Sequence, residues 1–513
     1  MPKSRLMNST INMVYSFGVK LASFLSGFVL RTVFIRVLGM EYAGVSGLFT
    51  DVLMVLSFAE LGISTAMTYA LYKPIAEQDK DKIQKLMHFY KWAYRFVAGS
   101  VLGLGLVFVP FIHLIITDVP DITESITLIY ILYLLNTSVS YLLVYKSTML
   151  TASQKNYEIS KITIKISIIR CLIGCALLIG FKNFIVYLLM EIGVAVVQNI
   201  LIGKKAEKLF PEMKEIPKEP LEKKEVKSLF KDIKALFLYK ISGVVLGGTD
   251  SIIISTFVGT GVVGILANYN LIVKNIYTLI LQIFTSMSAS IGNLAVTSSK
   301  EKQYQVFKAT LLMSFWLFGF CTVELYAGLN LFMEVWMGAG YIFSKGIMLI
   351  LIIDFYLTGM MSPVSSFRTS NGLFVQGQYR PLIMAVINIV VSIGLVKCMG
   401  VAGVLLGTVF SRIVTQIWYD PYLIYKHVFG KSVFLYAKKM ALYIGIIIGC
   451  SGICHYIGNQ IEYTNTLIEL GVKIMLNAVV FNGMCLVFFS RSEEFVYLKK
   501  SIDKIVSAVK GRK

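Results

Sequence analysis

Long apolar stretches separated by short polar connections dominate the chain. Fourteen of them are long enough to cross a bilayer as helices, which takes about 20 mostly apolar residues. They cover 11–37, 43–70, 88–115, 122–149, 160–181, 183–203, 235–258, 263–296, 307–329, 343–367, 380–398, 400–424, 436–458 and 466–490. The ten-residue alternating segments of a membrane barrel are not visible. The pattern predicts an all-α polytopic membrane protein with about 14 transmembrane helices.

The polar connections alternate in charge along the chain. Lys and Arg are concentrated in every second connection, namely 73–95, 146–161, 204–240, 300–308, 368–380, 426–439 and 499–513. The connections between these are short, neutral or acidic. Because cytoplasmic loops carry the excess of basic residues, the alternation predicts a multi-pass plasma-membrane protein with both termini in the cytoplasm. An even number of helices agrees with this orientation.

Two basic segments outside the spans have their own character. Residues 204–234 mix Lys with Glu and contain three prolines, which predicts a solvated cytoplasmic linker. The tail 491–513 carries apolar residues at helical spacing, backed by lysines, which predicts an amphipathic helix on the anionic membrane surface.

An internal repeat is suggested by matches at a shift of 220 residues. Gly39 meets Gly259 and Gly44 meets Gly264, and several lysines coincide as well. Six helices separate the matched pairs, so the repeat is parallel about an axis along the membrane normal. We therefore predict two parallel-repeat six-helix lobes plus two C-terminal helices. The segments are an N-terminal lobe at 1–203, the linker at 204–234, a C-terminal lobe at 235–424, two additional helices at 425–490 and the tail at 491–513.

Composition narrows the class further. The chain is 56% hydrophobic and 15% charged, whereas soluble domains carry about 25% charged residues. The formal charge of +20 is explained by the cytoplasmic loops, and no nucleic-acid-binding motif accompanies it. The seven cysteines lie in apolar segments without metal-ligand spacing, and we interpret them as free thiols. Neither a phosphate-binding glycine loop nor a nucleophile-base constellation occurs, so we expect no enzyme, metal or cofactor.

Several charged side chains nevertheless fall inside the apolar stretches. The six basic ones are Lys20, Arg31, Arg170, Lys274, Arg412 and Lys473. A charge at the bilayer centre costs at least about 2.5–3.5 kcal/mol, so it is seldom placed there without use. One hypothesis is a cationic lumen for an anionic substrate, and the alternative is structural ion pairing between helices. We expect either mutual pairing or a place in water-filled pockets for the set Arg170, Glu191, Glu324, Asp354, Arg412 and Lys473.

Lys20 and Arg31 are three helical turns apart, so they share one face of the first span. On the second span, Glu60 lies at about the depth of Lys20, and Asp51 at that of Arg31. An ideal helix would place Asp51 and Glu60 on opposite faces, although Gly62 allows a distortion there. We expect Glu60 to pair with Lys20.

The seventh and eighth spans carry a second polar group. Asn270, Lys274 and Tyr277 form a stripe on the eighth span, and Asp250 of the seventh lies at a depth similar to that of Lys274. Arg36 sits at the outer membrane edge. Both a role in the lumen and simple snorkelling to the interface remain open for it.

Three segments carry a family resemblance. Residues 28–79 read FVLRTVFIRVLGMEYAGVSGLFTDVLMVLSFAELGISTAMTYALYKPIAEQD, residues 145–157 read YKSTMLTASQKNY, and residues 367–381 read FRTSNGLFVQGQYRP. Together with the basic central linker, these segments resemble the polysaccharide flippases of the MOP (multidrug/oligosaccharidyl-lipid/polysaccharide) superfamily, the Wzx or O-antigen transporter type.

The resemblance implies an alternating-access transporter whose cleft is lined mainly by helices 1, 2, 7 and 8. Its cargo would be a polyprenyl-diphosphate-linked oligosaccharide, moved from the inner to the outer leaflet for cell-surface polysaccharide biosynthesis. Lys20, Arg31, Arg36, Asn270, Lys274 and Tyr277 are then the candidate substrate-binding residues. Asp51, Glu60 and Asp250 are the candidate counter-ions, and would bind a coupling H+ or Na+. A polysaccharide polymerase or ligase would be a partner.

Three alternatives stay open at this point. A cation-coupled multidrug efflux transporter of the same superfamily would favour an acidic, aromatic pocket, whereas the first helices here are rich in cations. A flippase for a lipid-linked peptidoglycan precursor would have similar electrostatics and fourteen helices. A non-transporting scaffold of a polysaccharide assembly complex has no reason to bear the cost of deep charges.

Overall fold

The computed structural model of the chain contains twenty α-helices and no β-strand in the residues that it describes. Those residues are 5–60, 62–116, 120–142, 144–215, 217, 219–373, 376–458, 460–461 and 465–510. Among them, the side chains at 5–14, 58–59, 214, 231–232, 234–236, 238–242, 245–246, 288–289, 296, 502 and 504–510 are left undescribed. The predicted all-α class is confirmed.

Ten helical segments of the described chain are long and apolar enough to cross a membrane. They are Tyr15–Leu38, Lys80–Ile115, Asn156–Phe181, Phe184–Leu209, Lys300–Met337, Lys345–Ser370, Arg380–Met399, Val401–Phe429, Phe434–Gly458 and Thr466–Phe489. A pair of helices bent by 42°, Ile126–Tyr141 and Val144–Ala152, makes an eleventh if it is one span. The protein is a multi-pass membrane protein, and the total of 14 spans stays a prediction.

The first of two compact units comprises Met1–Asn268 and Val396–Gly400. Its helices are α1 (Arg5–Leu38), α2 (Met40–Leu56), α3 (Ile63–Glu77), α4 (Lys80–Phe108), α5 (Ile112–Ile115), α6 (Ile126–Tyr141), α7 (Val144–Ala152), α8 (Asn156–Phe181), α9 (Phe184–Leu209), α10 (Lys223–Phe257) and the start of α11 (Thr260–Thr297). The helix α1 packs along α8, where Leu30 fills the space beside Gly174. Apolar side chains of both helices are thereby withdrawn from lipid.

The second predicted span is broken rather than straight. The helix α2 ends at Leu56, a single turn of 3-10 helix covers Ser57–Glu60, and α3 begins at Ile63. Gly62 at the break has a φ of 91°, a left-handed conformation that side chains other than glycine adopt at a cost. The distortion that Gly62 allows near Glu60 therefore occurs. It frees Asp51 and Glu60 from the opposite-face relation of an ideal helix.

Within the first unit, α2 and α11 come into direct backbone contact. A Cβ atom on Gly264 would lie only 2.8 Å from the backbone nitrogen of Gly44. A Cβ atom on Gly44 would lie 2.2 Å from the carbonyl oxygen of Thr260. Glycine at both positions is what lets the two helices approach this closely, as small residues do in membrane helix pairs.

Local structure recurs at the shift of 220 residues seen in the sequence. Gly39, between α1 and α2, and Gly259, between α10 and α11, both have positive φ angles, of 99° and 134°. Asp79 and Ser299 each cap a following helix by accepting a hydrogen bond from the backbone N–H three residues on. These shared features suit a duplicated helical unit. The predicted lobe limits are not tested by them.

The second compact unit comprises Tyr269–Leu395 and Val401–Lys513. It contains the rest of α11 and the helices α12 (Lys300–Ser314), α13 (Phe320–Met337), α14 (Lys345–Ser370), most of α15 (Arg380–Met399), α16 (Val401–Arg412), α17 (Tyr419–Ile424), α18 (Phe434–Gly458), α19 (Thr466–Phe489) and α20 (Glu493–Lys510). A π-helical turn at Phe315–Gly319 joins α12 to α13, so that the two form one span. An aromatic core holds the unit together, with the rings of Phe315 and Tyr443 stacked 4.1 Å apart.

The start of the tail helix α20 docks on the same unit. The ring of Phe495 stacks on Trp316 at 5.7 Å, and Lys308 lies 3.0 Å from the Glu493 carboxylate. Burial raises the pKa of Glu494, but the hydrogen bonds from Lys439 and the backbone, together with the charges of Lys439 and Lys308, outweigh burial. The pKa therefore falls below its ordinary value and the carboxylate stays ionised. Polar contacts thus fix the first turn of the predicted amphipathic helix.

The backbone contact between α2 and α11 predicts the effect of Gly264→Val. Because the added side chain would meet the backbone at Gly44, the helices must separate, and overpacking of this kind typically costs about 1–3 kcal/mol. We expect a lower Tm for the purified protein in detergent.

The matched control is Gly292→Val on the same helix, since no atom lies within 4 Å of its Cβ position among the described residues. Equal Tm values for the two variants would contradict the contact.

Candidate functional site

Arg31 of α1 is the predicted site residue with the most defined surroundings. Its Nε donates a hydrogen bond to Oδ1 of Asn268 at 2.9 Å, and its Nη2 donates to the carbonyl oxygen of Ala43 at 3.4 Å. The guanidinium also lies over the ring of Phe34, 5.6 Å from its centroid. All three contacts fall within the first unit, and none of them involves a negative charge.

Asn268 reaches Arg31 because of the helix contact described above. It follows Gly264 by one turn of α11, and Ala43 precedes Gly44 on α2. The side chain of Asn268 is fully buried. A buried amide must be hydrogen-bonded, and the guanidinium supplies the donor for its oxygen. Asn268 was not predicted to belong to the site, although its position as a polar residue inside an apolar span was a signal for it.

Two tyrosines extend this environment towards a second arginine. Tyr133 and Tyr187 both lie close enough to Arg31 to interact with it electrostatically. Tyr133 donates a hydrogen bond to Ser46 at 2.7 Å. It also lies near Arg170 and Glu191, which form an ion pair with Nε–oxygen distances of 2.7 and 2.8 Å. Tyr133 therefore lies close to both guanidiniums, of which Arg170 is paired with a carboxylate and Arg31 is bonded to neutral groups.

The charge balance of this cluster is what makes it a candidate site. Glu191 is already bonded to Arg170, and the described partners of Arg31 are all uncharged. A half-buried guanidinium without a counter-ion is costly, because the protein replaces only part of its hydration. An anion brought by a substrate would complete the balance, with the planar N–H groups offering paired donors to phosphate oxygens.

The other two cations of the first unit that were predicted to bind substrate lack defined side-chain contacts. Lys20 and Arg36 are exposed on α1, and neither has a hydrogen-bond or ion-pair partner within the described part of the chain. The expected pair between Lys20 and Glu60 is therefore not formed in this structure. Glu60, after the end of α2, instead lies near the phenol groups of Tyr94 and Tyr141.

Two of the predicted counter-ions, Asp51 and Asp250, lie on α2 and α10. Asp51 of α2 accepts a short hydrogen bond from the hydroxyl of Ser251 on α10. Asp250, the neighbour of Ser251, is half-buried on the same helix. The hydrogen bond between Ser251 and Asp51 links α2 with α10 inside the first unit, and the described hydrogen bonds of Arg31 go to other residues.

In the second unit, the stripe predicted on α11 is present but uneven. Asn270 is half-buried, Lys274 is exposed, and no partner of Lys274 lies among the described residues. Tyr277 packs against the ring of Phe318 at 5.8 Å and lines a cavity together with Ser362 and Gln416. Of the three, Tyr277 lines this cavity, and Asn270 and Lys274 are not among its lining residues.

Most of the remaining deep charges are paired, as expected. Besides Arg170 with Glu191, the Nε of Arg412 lies 2.6 Å from the Asp354 carboxylate. Lys473 pairs with Glu469 at 2.5 Å, a partner that the sequence analysis did not propose. Glu324 accepts a hydrogen bond from Asn477 at 3.4 Å. These side chains stabilise their helices and leave Arg31 as the clearest candidate for substrate contact.

One buried ion cluster was missed altogether. Asp420 lies 2.9 Å from Nη1 of Arg368 and 3.2 Å from Nε of Arg380, and all three are almost fully shielded from solvent. Arg368 also donates to the carbonyl oxygens of Leu373 and Gln376. The cluster holds the segment that connects α14 and α15 in place. Both arginines were predicted to be basic loop residues, because the sequence of a loop does not show whether its cations are buried.

No group of three or more His, Cys, Asp or Glu side chains suited to hold a metal ion occurs in the described residues.

Comparison with known proteins extends this picture at the level of the fold. No protein-family model matches the chain, and no curated protein sequence matches it either. Among solved structures, the lipid II flippase MurJ in an inward closed conformation superposes with a TM-score of 0.66 and 15% identity, over 94% of this chain and 99% of the other. The Vibrio cholerae MATE transporter VcmN, as a point mutant, gives a TM-score of 0.59 and 13% identity, over 83% of this chain and 99% of the other.

A third structure, an inward-facing multidrug resistance MATE family transporter of the MOP superfamily, gives a TM-score of 0.58 and 12% identity, over 80% of this chain and 98% of the other. The chain has the fold of MOP superfamily transporters. At these identities the likeness concerns the fold alone. These structures are described as transporters or flippases and not as enzymes.

The buried cluster around Asp420 predicts a large loss of stability for Asp420→Asn. The substitution keeps the volume of the side chain but leaves two buried guanidiniums without an anion. Breaking a buried pair in this way costs about 3–5 kcal/mol. We expect a clearly lower Tm in detergent.

Asp81→Asn is the control, since Asp81 pairs with Lys85 at 2.8 Å with its own side chain largely exposed, and such surface pairs contribute about 0–1 kcal/mol. Similar Tm values for both variants would show that Asp420 does not neutralise the two arginines.

Proposed function

We propose that the protein is a flippase of the MOP superfamily that moves a polyprenyl-diphosphate-linked oligosaccharide from the inner to the outer leaflet of the plasma membrane. It would act by alternating access in the synthesis of a cell-surface polysaccharide. The observation that carries the proposal is the environment of Arg31, whose described partners are all uncharged. A diphosphate headgroup supplies the missing negative charge.

The positive charge of Arg31 favours an anionic cargo over a cationic drug. A half-buried guanidinium repels cations and attracts anions most strongly where the local dielectric constant is low. Lys20 and Lys274, each without a described partner in its own unit, add positive charge on α1 and α11. A multidrug exporter that accepts organic cations would need free carboxylates instead. Glu191 and Asp354 are each already bonded to an arginine.

A lipid-linked peptidoglycan precursor remains the second candidate. The lipid II flippase structure matches 94% of this chain, whereas the two MATE structures match 83% and 80%. Both candidates share a polyprenyl diphosphate and differ in the attached sugars and peptide. The resemblance of residues 28–79 to polysaccharide flippases favours the oligosaccharide. A non-transporting scaffold is disfavoured because it has no need of an unbalanced guanidinium.

A coupling ion, H+ or Na+, would bind at the acidic residues of the first unit. Asp51, Glu60 and Asp250 are the candidates, since each lies on α2, α10 or the turn that follows α2. The polysaccharide polymerase or ligase would be the partner that receives the cargo on the outer side.

The proposal predicts that Arg31→Gln loses export while the protein stays in the membrane. Hydrogen bonds to charged groups contribute about 1.5–3 kcal/mol, which corresponds to roughly a 10- to 100-fold loss of cargo binding. Surface polysaccharide per cell should fall, and the lipid-linked intermediate should accumulate. Arg31→Lys keeps the charge and should retain more export than Arg31→Gln.

The control is Lys182→Gln, which removes an exposed cation at the end of α8 in the same unit. Normal export by Arg31→Gln, at wild-type protein level, would refute the assignment. Cell lysis on depletion of the protein, with surface polysaccharide intact, would support the peptidoglycan precursor instead.

A further inference from the structure

The second unit contains a cavity of about 250 Å³, and seven of its eleven lining residues carry a hydroxyl group. Its lining comes from α11, α14 and the π-helical turn Ile413–Ile417. On α14, the residues Thr358, Ser362, Ser365, Ser366 and Thr369 contribute to it. Their spacing of three or four residues places all five hydroxyls on one side of the helix. This hydroxyl stripe contains none of the charged residues described above.

The hydroxyls of the stripe differ in what they can offer to a ligand. Ser366 donates its hydrogen to the carbonyl oxygen of Ser362 at 2.9 Å, and Thr369 donates to that of Ser365 at 2.8 Å. Thr285 of α11 does the same to Gln282 at 2.9 Å. Since their hydrogens are used by the helix backbone, these oxygens are left as acceptors. The cavity is therefore rich in hydrogen-bond acceptors.

Two further hydroxyls lack any partner. Oγ1 of Thr358 and Oγ of Ser362 are buried, and neither makes a hydrogen bond within the described residues. Ser362 is only 6% exposed, and its oxygen lies near the Tyr277 hydroxyl without hydrogen-bonding geometry. Buried hydroxyls are normally satisfied, so unpartnered ones at a cavity indicate a polar occupant.

The occupant is neutral and rich in hydroxyl donors. None of the lining residues carries a charge, and the nearby Asp354 and Arg412 neutralise each other. Neither a phosphate nor a cation would find a counter-charge here. Tyr277 and Phe284 add aromatic surface of the kind that packs against the apolar face of a ring. A saccharide matches this combination of acceptors, unsatisfied hydroxyls and aromatic surface.

We propose that this cavity binds the sugar portion of the cargo. The inference rests on the proposed function, which supplies a lipid-linked saccharide as cargo. Thr285 and Thr369 are exposed and mark the open side of the cavity, near the end of α14 that the predicted topology places on the cytoplasmic side. Saccharide carried on a lipid of the inner leaflet therefore has access to the cavity.

The test is site-directed photo-crosslinking in intact cells that export the polysaccharide. A benzophenone amino acid replaces Thr369 or Thr285 in the full-length protein, and Val390 in the control. Val390 is 64% exposed on α15 and lies outside the cavity lining. After irradiation, the purified protein is analysed by mass spectrometry for sugar-containing adducts. We expect such adducts at Thr369 and Thr285 and not at Val390.

Adducts that lack sugar at both cavity positions, or the same sugar adduct at Val390, would overturn the proposal. The failure is distinguishable from failure of the proposed function. If Arg31→Gln abolishes export while the cavity positions capture no sugar, only the cavity assignment is wrong. If cells without the protein export normally, the proposed function itself is wrong.

A substitution pair tests the same cavity by a different readout. Thr358→Val keeps the shape of the side chain and removes the hydroxyl, whereas Thr358→Ser keeps the hydroxyl. One lost hydrogen bond to the sugar should slow export about two- to tenfold in Thr358→Val. Thr358→Ser should restore most of it at equal protein level. Equal export by the two variants would argue that water alone occupies the cavity.

Discussion

The backbone contact between α2 and α11 is the constraint on which the candidate site depends. Gly44 and Gly264 meet with no room for a side chain on either helix. One turn beyond Gly264, Asn268 is brought to the guanidinium of Arg31, and Ala43 offers its carbonyl oxygen from the other side. Since lipid gives no hydrophobic drive for helix association, such close packing and the polar contacts beside it hold the pair together. The glycine contact and the position of Arg31 are thus parts of one arrangement.

The two units present different chemistry. In the first, Glu191 is paired with Arg170, and Arg31 is held by neutral acceptors. In the second, the cavity beside Tyr277 is uncharged and rich in hydroxyl groups. A lipid-linked saccharide has the two corresponding parts, an anionic diphosphate and a neutral chain of sugars. The proposed function and the proposed sugar site follow from that correspondence of chemistry.

The sequence allowed the helical class and most of the spans to be predicted, because apolar runs of about 20 residues are strong local signals. A single span was predicted at 43–70, and Gly62 signalled only that a distortion near Glu60 was allowed. The sequence also indicated that the deep charges of both signs could pair with one another, and the structure shows which of them do, Arg170 with Glu191 and Arg412 with Asp354.

Contacts between distant helices could not be predicted in the same way. Asn268 lies 237 positions from Arg31 in the chain, and only the helix packing brings them together. The pair expected between Lys20 and Glu60 failed for the same reason, since depth in the membrane says nothing about rotation around a helix axis. The burial of Arg368 and Arg380 around Asp420 was invisible as well, because loop and buried arginines look alike in sequence. Rotation and burial are properties of packing, which a single sequence does not contain.

The central claim is that Arg31 binds the anionic headgroup of the cargo. The most direct measurement is the Tm of the purified full-length protein in nanodiscs, with added polyprenyl diphosphate or the uncharged polyprenol. A ligand that binds only the folded state at 100 times its Kd stabilises by about 2.7 kcal/mol. The account predicts that the diphosphate raises the Tm of the parent and of Lys182→Gln but not that of Arg31→Gln. Polyprenol should change the Tm of all three proteins equally. An equal rise for Arg31→Gln with the diphosphate would contradict it.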